Sequence, residues 1–186
     1  MTKYFIAFLF ITSILHINAQ GNENDSIIVA DNLSSDEFYS IQTAGWIIVD
    51  FNSEKSICNF SNEDYVLYFN INCTDAKLKP TYLIEYSNNY RDGNYGGLDF
   101  TSSKKDTDST TVYLIDDIAF DNPFTPYDAY KLDVFLTALK TGKVLTMSFY
   151  YYEYDIVSDA DELTLNRTIS FQLKNNHLLN TATNCK

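Results

Sequence analysis

Along most of this chain apolar side chains recur at every second position, or in short unbroken runs, and polar turns separate the runs. A period of two places alternate side chains on opposite faces of an extended backbone, so the pattern demands strands. The clearest run sets Tyr65, Leu67, Phe69, Ile71 and Cys73 on one face and Val66, Tyr68, Asn70 and Asn72 on the other. Trp46-Ile47-Ile48-Val49 reads as the first clear strand, and Tyr82-Leu83-Ile84-Glu85-Tyr86 as another after the Lys79-Pro80 breaker. Asp116-Asp117 interrupts residues 111–120 as a tight hairpin. The polar stretch 87–97, with its Asp92-Gly93 and Gly96-Gly97 pairs, predicts a long turn or loop. Leu145, Met147, Phe149 and Tyr151 share one strand face. After an acidic loop over residues 155–162, Ile169, Phe171 and Leu173 share another.

One segment departs from this rhythm. Over residues 126–141, Leu132, Phe135, Leu136 and Leu139 recur at the spacing of one helical face. Thr125 is placed to act as N-cap, with Pro126 at the first helical position and Asp128 where a capping-box acid belongs. Lys140 falls in the last turn and Gly142 where a left-handed C-cap is needed. No internal repeat or linker divides the chain. Residues 45–186 are therefore expected to form a single domain, mainly β: an antiparallel two-sheet β-sandwich with one amphipathic α-helix packed against it. With 45% hydrophobic and 16% aromatic residues, and only 6 Gly and 3 Pro in 186, the chain has the apolar mass for a core. Disordered and collagen-like readings are excluded.

Residues 1–19 read as a secretory signal peptide. Lys3 begins it, residues 4–15 form an apolar run well short of the ~20 residues a membrane span needs, and Ala19 places cleavage before Gln20. Residues 20–44 read as a polar leader arm with one apolar island, Ile27-Ile28-Val29, suited to an edge strand. The product is expected outside the cytoplasm, periplasmic or extracellular, and no later stretch is long and apolar enough to span a bilayer. The whole chain carries a net charge of −12, and cleavage, which removes only the positive Lys3, makes it −13. That charge repels nucleic acid and anionic lipid; it favours solubility or a basic protein partner.

Catalytic signatures are missing. The chain has no GxSxG, P-loop, HExxH or GxGxxG string, and His177 is the only His beyond the signal peptide. Asp106-Thr107-Asp108-Ser109-Thr110 fits a DxDxT string, but it follows a solvated Ser-Ser-Lys-Lys turn rather than a buried strand. Asp159, Asp161 and Glu162 lack the spacing and the turn Gly of a calcium loop, and read as a solvated acidic loop. We therefore assign no catalytic, metal or cofactor residues. Among 15 Tyr and 13 Phe, most rings are expected in the core. Tyr150 and Tyr152, on the face opposite Phe149 and Tyr151, are candidate interface residues, together with Asp159, Asp161 and Glu162. Trp46 is the one larger platform for stacking on a sugar. Asn-x-Ser/Thr sequons at Asn24, Asn32, Asn59, Asn72 and Asn166 are expected by chance in a chain so rich in these residues.

Three Cys in an exported chain allow one bridge. If residues 57–60 pair with 65–69, Cys58 lies opposite about Leu67, and Cys73 is then some ~20 Å further along at ~3.3 Å per residue. Bridged Cα atoms lie within ~7 Å, so this register disfavours Cys58–Cys73 and leaves Cys185 two possible partners. Cys73, ending a strongly patterned strand, has the better claim.

The strings Asn72-Cys73-Thr74, Thr81-Tyr82-Leu83-Ile84-Glu85-Tyr86, Phe135, Leu139-Lys140, Leu145, Ile169-Ser170-Phe171, Leu178-Leu179 and Cys185, with the Trp46 strand, span roughly residues 45–185. Taken together they resemble small exported VasI-like proteins associated with type VI secretion. The resemblance implies a β-sandwich tied by a Cys73–Cys185 bridge and an accessory role without known chemistry. The functional expectation is a non-enzymatic protein-binding module of the envelope or secreted fraction. Its alternatives are an immunity or inhibitor protein against a basic toxin, and a carbohydrate-binding module with a Tyr-rich sheet face.

Overall fold

The computed structural model describes residues 27–87, 96–102, 109–157 and 159–185. The expected signal peptide, the middle of the long 87–97 turn and most of the Asp106–Thr110 string lie outside them. The described residues form the expected mainly-β, two-sheet architecture. Six strands pair in chain order in the first sheet: β1 (Ile27–Val29), β2 (Trp46–Phe51), β3 (Glu54–Asn59), β4 (Tyr65–Asn70), β5 (Thr81–Tyr86) and β6 (Gly96–Thr101). All neighbours are antiparallel except β1, which runs parallel to β2. The second sheet has the order β10 (Ala160–Gln172), β9 (Val144–Asp155), β7 (Ser109–Ile115), β8 (Ile118–Phe120). Helix α1 (Ser35–Tyr39) links β1 to β2, α2 (Ala129–Thr141) links β8 to β9, and a 3-10 helix covers Asn176–Asn180.

Alternation along the strands builds two cores. Trp46, Ile48, Ile57, Leu67, Phe69 and Ile84 from the first sheet meet Tyr113, Leu145, Met147, Phe149, Ile169 and Phe171 from the second, and α2 adds Leu132, Phe135 and Leu139. The opposite face of the first sheet carries Ile47, Val49, Cys58, Phe60 and Val66, which are also buried. Ile28, Ala30, Phe38, Tyr39 and Ile41 cover that face. The described part of the expected leader arm, residues 27–44, thus forms the lid of a second core, with Ile27-Ile28-Val29 as the edge strand suggested by the sequence. Its polar residues tie the backbone rather than solvate it. Ser34 and Glu37 exchange the reciprocal bonds of a capping box, and Asp31 accepts the Asn52 N–H at 2.6 Å.

Four local expectations need correction. Helix α2 begins at Ala129, not at 126. Asp128 is its N-cap, accepting from the N–H groups of Tyr130 (2.9 Å) and Lys131 (3.0 Å). Thr125 is already engaged: its hydroxyl donates to the Ser102 carbonyl at 2.5 Å and its N–H to Asn122 at 3.1 Å. Gly142 has φ −72°, so it is no left-handed cap; a Cβ there would lie 2.4 Å from Ile115 Cγ2, and close approach is what requires glycine. Cys58 faces Tyr68 rather than Leu67, a register one residue from that expected. The acidic loop over 155–162 is shorter than expected, because β9 runs to Asp155 and β10 starts at Ala160. The β7–β8 hairpin turns at Asp116-Asp117 as expected, both with positive φ, and the Asp116 carboxylate accepts the N–H groups of Lys143 and Val144.

Cys73 and Cys185 are joined by a disulfide with Cα atoms 5.1 Å apart, across 112 residues of sequence, and Cys58 is free and buried. Around the bridge, Thr183 pairs with Cys73, and the Thr183 hydroxyl donates to the Ile71 carbonyl. Replacing both Cys73 and Cys185 with Ser should lower stability by about 4–5 kcal/mol on the chain-entropy account of so long a loop. Urea unfolding of the oxidised protein and the double variant measures this. Cys58 should react with a thiol reagent only after denaturation.

Candidate functional site

Strands β9 and β10 outrun their neighbours. The last residue of β9 paired with β7 is Tyr151, opposite Ser109, whereas the β9–β10 ladder continues to Asp155 and Ala160. Among the described residues no further strand flanks 152–157 or 159–163, which extend from the sheet as a two-stranded ribbon. Its base is held firmly. Asn62 Nδ2 donates to the Ser170 carbonyl at 3.1 Å, Gln172 N–H donates to Ser61 Oγ at 2.7 Å, and Asn59 Nδ2 donates to the Gln172 carbonyl at 2.8 Å. The Arg167 guanidinium lies over the Tyr65 ring, 5.6 Å from its centre, and donates to the Tyr65 hydroxyl.

A β-bulge separates base from ribbon. The register shifts between Leu165 and Arg167, leaving Asn166 without a partner. Below it, Ile169 and Phe171 point into the core, while Thr168 and Ser170 meet Ser148 and Thr146 on the outer face through hydroxyl bonds of 3.0 Å. One extra residue exchanges the two faces. Above the bulge Leu165 pairs with Tyr150, Leu163 with Tyr152 and Asp161 with Tyr154, all on the outer face. Leu165 is 50% exposed, and the tip residues Ile156 and Val157 are 86% and 94% exposed. On the ribbon's other face Glu153 stands directly opposite Glu162.

The ribbon thus gathers every interface candidate named from the sequence. Tyr150 and Tyr152 share the outer face with Asp161, Glu162 lies on the other face, and Asp159 sits at the tip with φ 54°. The Tyr154 hydroxyl donates to Asp159, a bond that raises its pKa above the ordinary tyrosine value. Sequence reasoning missed Tyr154, Leu163, Leu165, Ile156 and Val157. Alternation alone would put Leu163 and Leu165 on the face of Ile169, and nothing in the sequence marks the bulge that moves them.

An open groove of about 360 Å³ lies between α1 and the outer face of the first sheet, lined by Leu33, Phe38, Tyr39, Val49, Phe51 and Tyr68 among others. The Tyr39 hydroxyl donates to Glu85 at 2.7 Å. Burial, and then the hydrogen bond to Glu85 and its charge, push the Tyr39 pKa to about 12; burial, followed by the nearby Cys58, raises that of Tyr68. Burial also pushes the Cys58 thiol up, which leaves it protonated and inert. Among the described residues no group of three or more His, Cys, Asp or Glu is arranged to hold a metal ion, and no helix is long and apolar enough to cross a membrane. His177 is exposed. Trp46 is fully buried against Phe69 and so withdrawn from any sugar. Of the sequons, Asn59 and Asn72 spend their side-chain amides on the carbonyls of Gln172 and Leu179, whereas Asn32 and Asn166 are exposed.

No protein-family model, curated protein or solved structure matches the chain.

The Tyr39 and Tyr68 shifts fix a pH dependence. Both groups are held protonated in the fold, with Tyr39 at about 12 against an unfolded value of about 10. The Tyr39 contribution is fully present below pH ~10 and is lost as pH rises from there through ~12, while Tyr68 remains protonated in the fold across that window and its contribution declines from pH ~10 upward. The urea midpoint should fall over that window, and Tyr39→Phe should flatten the decline.

Proposed function

We propose that this is an exported, non-enzymatic protein-binding module whose partner is a basic protein gripped by the β9–β10 ribbon. The observation that carries the reading is a one-sided apolar stripe, Tyr150, Tyr152, Tyr154, Leu163 and Leu165, with an apolar tip and five acids at positions 153, 155, 159, 161 and 162. A two-stranded ribbon is marginal on its own in water, and contiguous exposed apolar surface marks an interaction site. Acids around an aromatic centre suit a cationic partner: the rings anchor it and the charges speed its capture. An immunity or inhibitor protein against a basic toxin is the specific version of this function, and an accessory role of the VasI-like kind is compatible with it. The signal-like N-terminus and the Cys73–Cys185 bridge support export to an oxidising compartment. A glycan fits less well. Leu163, Leu165, Ile156 and Val157 interrupt the Tyr surface and offer no hydrogen bonds to sugar hydroxyls.

Capture from the native envelope fraction should recover a basic protein. Tyr152→Ala should weaken its binding about 30-fold, the loss of ~2 kcal/mol typical of a buried aromatic anchor. Replacing Asp159, Asp161 and Glu162 with Asn, Asn and Gln should slow association more than it speeds dissociation, and raising salt from ~0.05 to ~0.5 M should do the same. Surface plasmon resonance separates the two rates. Binding without salt dependence would assign the charge to solubility, and preferential capture of a soluble glycan would replace the protein partner.

A further inference from the structure

We propose that the open edge of β10 at residues 161–165 takes an added strand from the partner, an extended segment in which Lys or Arg alternates with apolar residues. The proposal rests on the protein-binding reading and specifies how the partner is held.

Strand β10 is the last of its sheet, and the described residues supply no strand beyond it. Its two halves differ. Along the lower half the outward backbone groups are consumed by side chains of the first sheet: the Ser170 carbonyl by Asn62, the Gln172 N–H by Ser61 and the Gln172 carbonyl by Asn59. These bonds establish that the backbone of residues 170 and 172 points away from β9. Outward groups recur every second residue, and the bulge at Asn166 shifts the count by one. Above the bulge the outward N–H and C=O groups therefore belong to Asp161, Leu163 and Leu165. Exposed edges are commonly blunted with charges, Lys above all, with Pro, bulges or cover. Residues 160–166 contain neither Lys nor Pro; their only charges are the acids Asp161 and Glu162, which repel another acidic edge and admit a basic one, and the bulge lies at the foot of the segment.

The charges choose the occupant. A second copy of this strand would bring another five acids against the five already on the ribbon, so self-pairing is penalised by like charge. A basic strand is favoured on both faces. Its apolar side chains would extend the Leu163, Leu165, Tyr150 and Tyr152 stripe on the outer face. Its Lys or Arg side chains would stand beside Glu162 and relieve the Glu153–Glu162 opposition. Main-chain bonds then give affinity and the alternating side chains give selectivity, as in strand addition generally.

Amide hydrogen exchange, read residue by residue by NMR on the whole oxidised protein, tests the proposal. The probes are a synthetic ten-residue peptide alternating Lys with Val, the same peptide N-methylated at alternate amides, and a Glu–Val counterpart. The Lys–Val peptide should slow exchange at the amides of Asp161, Leu163 and Leu165 by about tenfold or more, and leave Glu162 and Thr164, already paired to β9, unchanged. The N-methylated and Glu–Val peptides should produce neither effect. Binding of the Lys–Val peptide without protection of those three amides would overturn strand addition and leave the ribbon's side-chain surface as the binding site. Absence of Lys–Val binding would overturn it too, and capture of a basic protein through Tyr152 would still stand or fall on its own. Protection that grows with protein concentration in the absence of peptide would assign the edge to a second copy and reject the basic strand.

Discussion

The first sheet is apolar on both faces, and the rest of the molecule is arranged by the need to cover it twice. Trp46 and Ile48 point to one side and Ile47 and Val49 to the other, all buried, so β2 reads as an unbroken apolar run rather than an alternation. The inner face takes the second sheet and α2. The outer face takes α1 and the chain on either side of it, and Phe38 of α1 makes edge-on contact with Phe60, 5.4 Å between ring centres, and lies flat over Tyr68. Cover from one side alone would leave Ile47, Val49 and Val66 in water, at about 1.5–3 kcal/mol for each large side chain. Residues 27–44 consequently pack as part of the core that the first sheet builds.

The C-terminal tail locks the two sheets into one orientation, and that orientation aims the ribbon. Trp46 N–H donates to the Lys174 carbonyl at 2.9 Å and Asn175 Nδ2 to the Trp46 carbonyl at 3.2 Å, so the chain leaving β10 runs directly onto the start of β2. Gly45 makes this possible: a Cβ there would lie 2.5 Å from the Lys174 backbone. Beyond it, Leu178 and Leu179 close the end of the core, and the bridge to Cys73 fastens the tail to the chain leaving β4. With the lower half of β10 clamped by Asn59, Ser61 and Asn62, the upper half leaves the sheet from a fixed base. Its stripe of rings therefore leaves the sheet in a direction set by that base.

What was legible in the sequence was what a period or a pair of residues encodes by itself. Tyr65, Leu67 and Phe69 turn inward together, the Asp116-Asp117 turn joins β7 to β8, and Leu132, Phe135 and Leu139 form the buried face of α2. Tyr150 and Tyr152 were placed on the outer face by the same alternation. What escaped depends on contacts distant in sequence. The arm reads as a polar leader with one edge strand, yet Ser34, Glu37 and Asp31 bind backbone, and its few apolar residues cap a core built by other strands. Thr125 reads as a cap, but the Ser102 carbonyl, 23 residues earlier in the chain, accepts from its hydroxyl. The bulge at Asn166 has no composition signature at all, and it decides which face Leu163 and Leu165 occupy.

That bulge also explains why the ribbon combines features that each work against the isolated protein. Shifting the register puts two leucines beside three tyrosines in water, and it leaves Glu153 facing Glu162 across the strands. A like-charge pair directly opposite costs up to about 1 kcal/mol, and an unsupported two-stranded ribbon has no core to offset it. Without the bulge, Leu163 and Leu165 would turn to the face of Glu153 and the outer stripe would break into separate rings. The fold therefore keeps an arrangement that its own stability disfavours. The two liabilities have one common remedy, a neighbour that is apolar on one face and basic on the other.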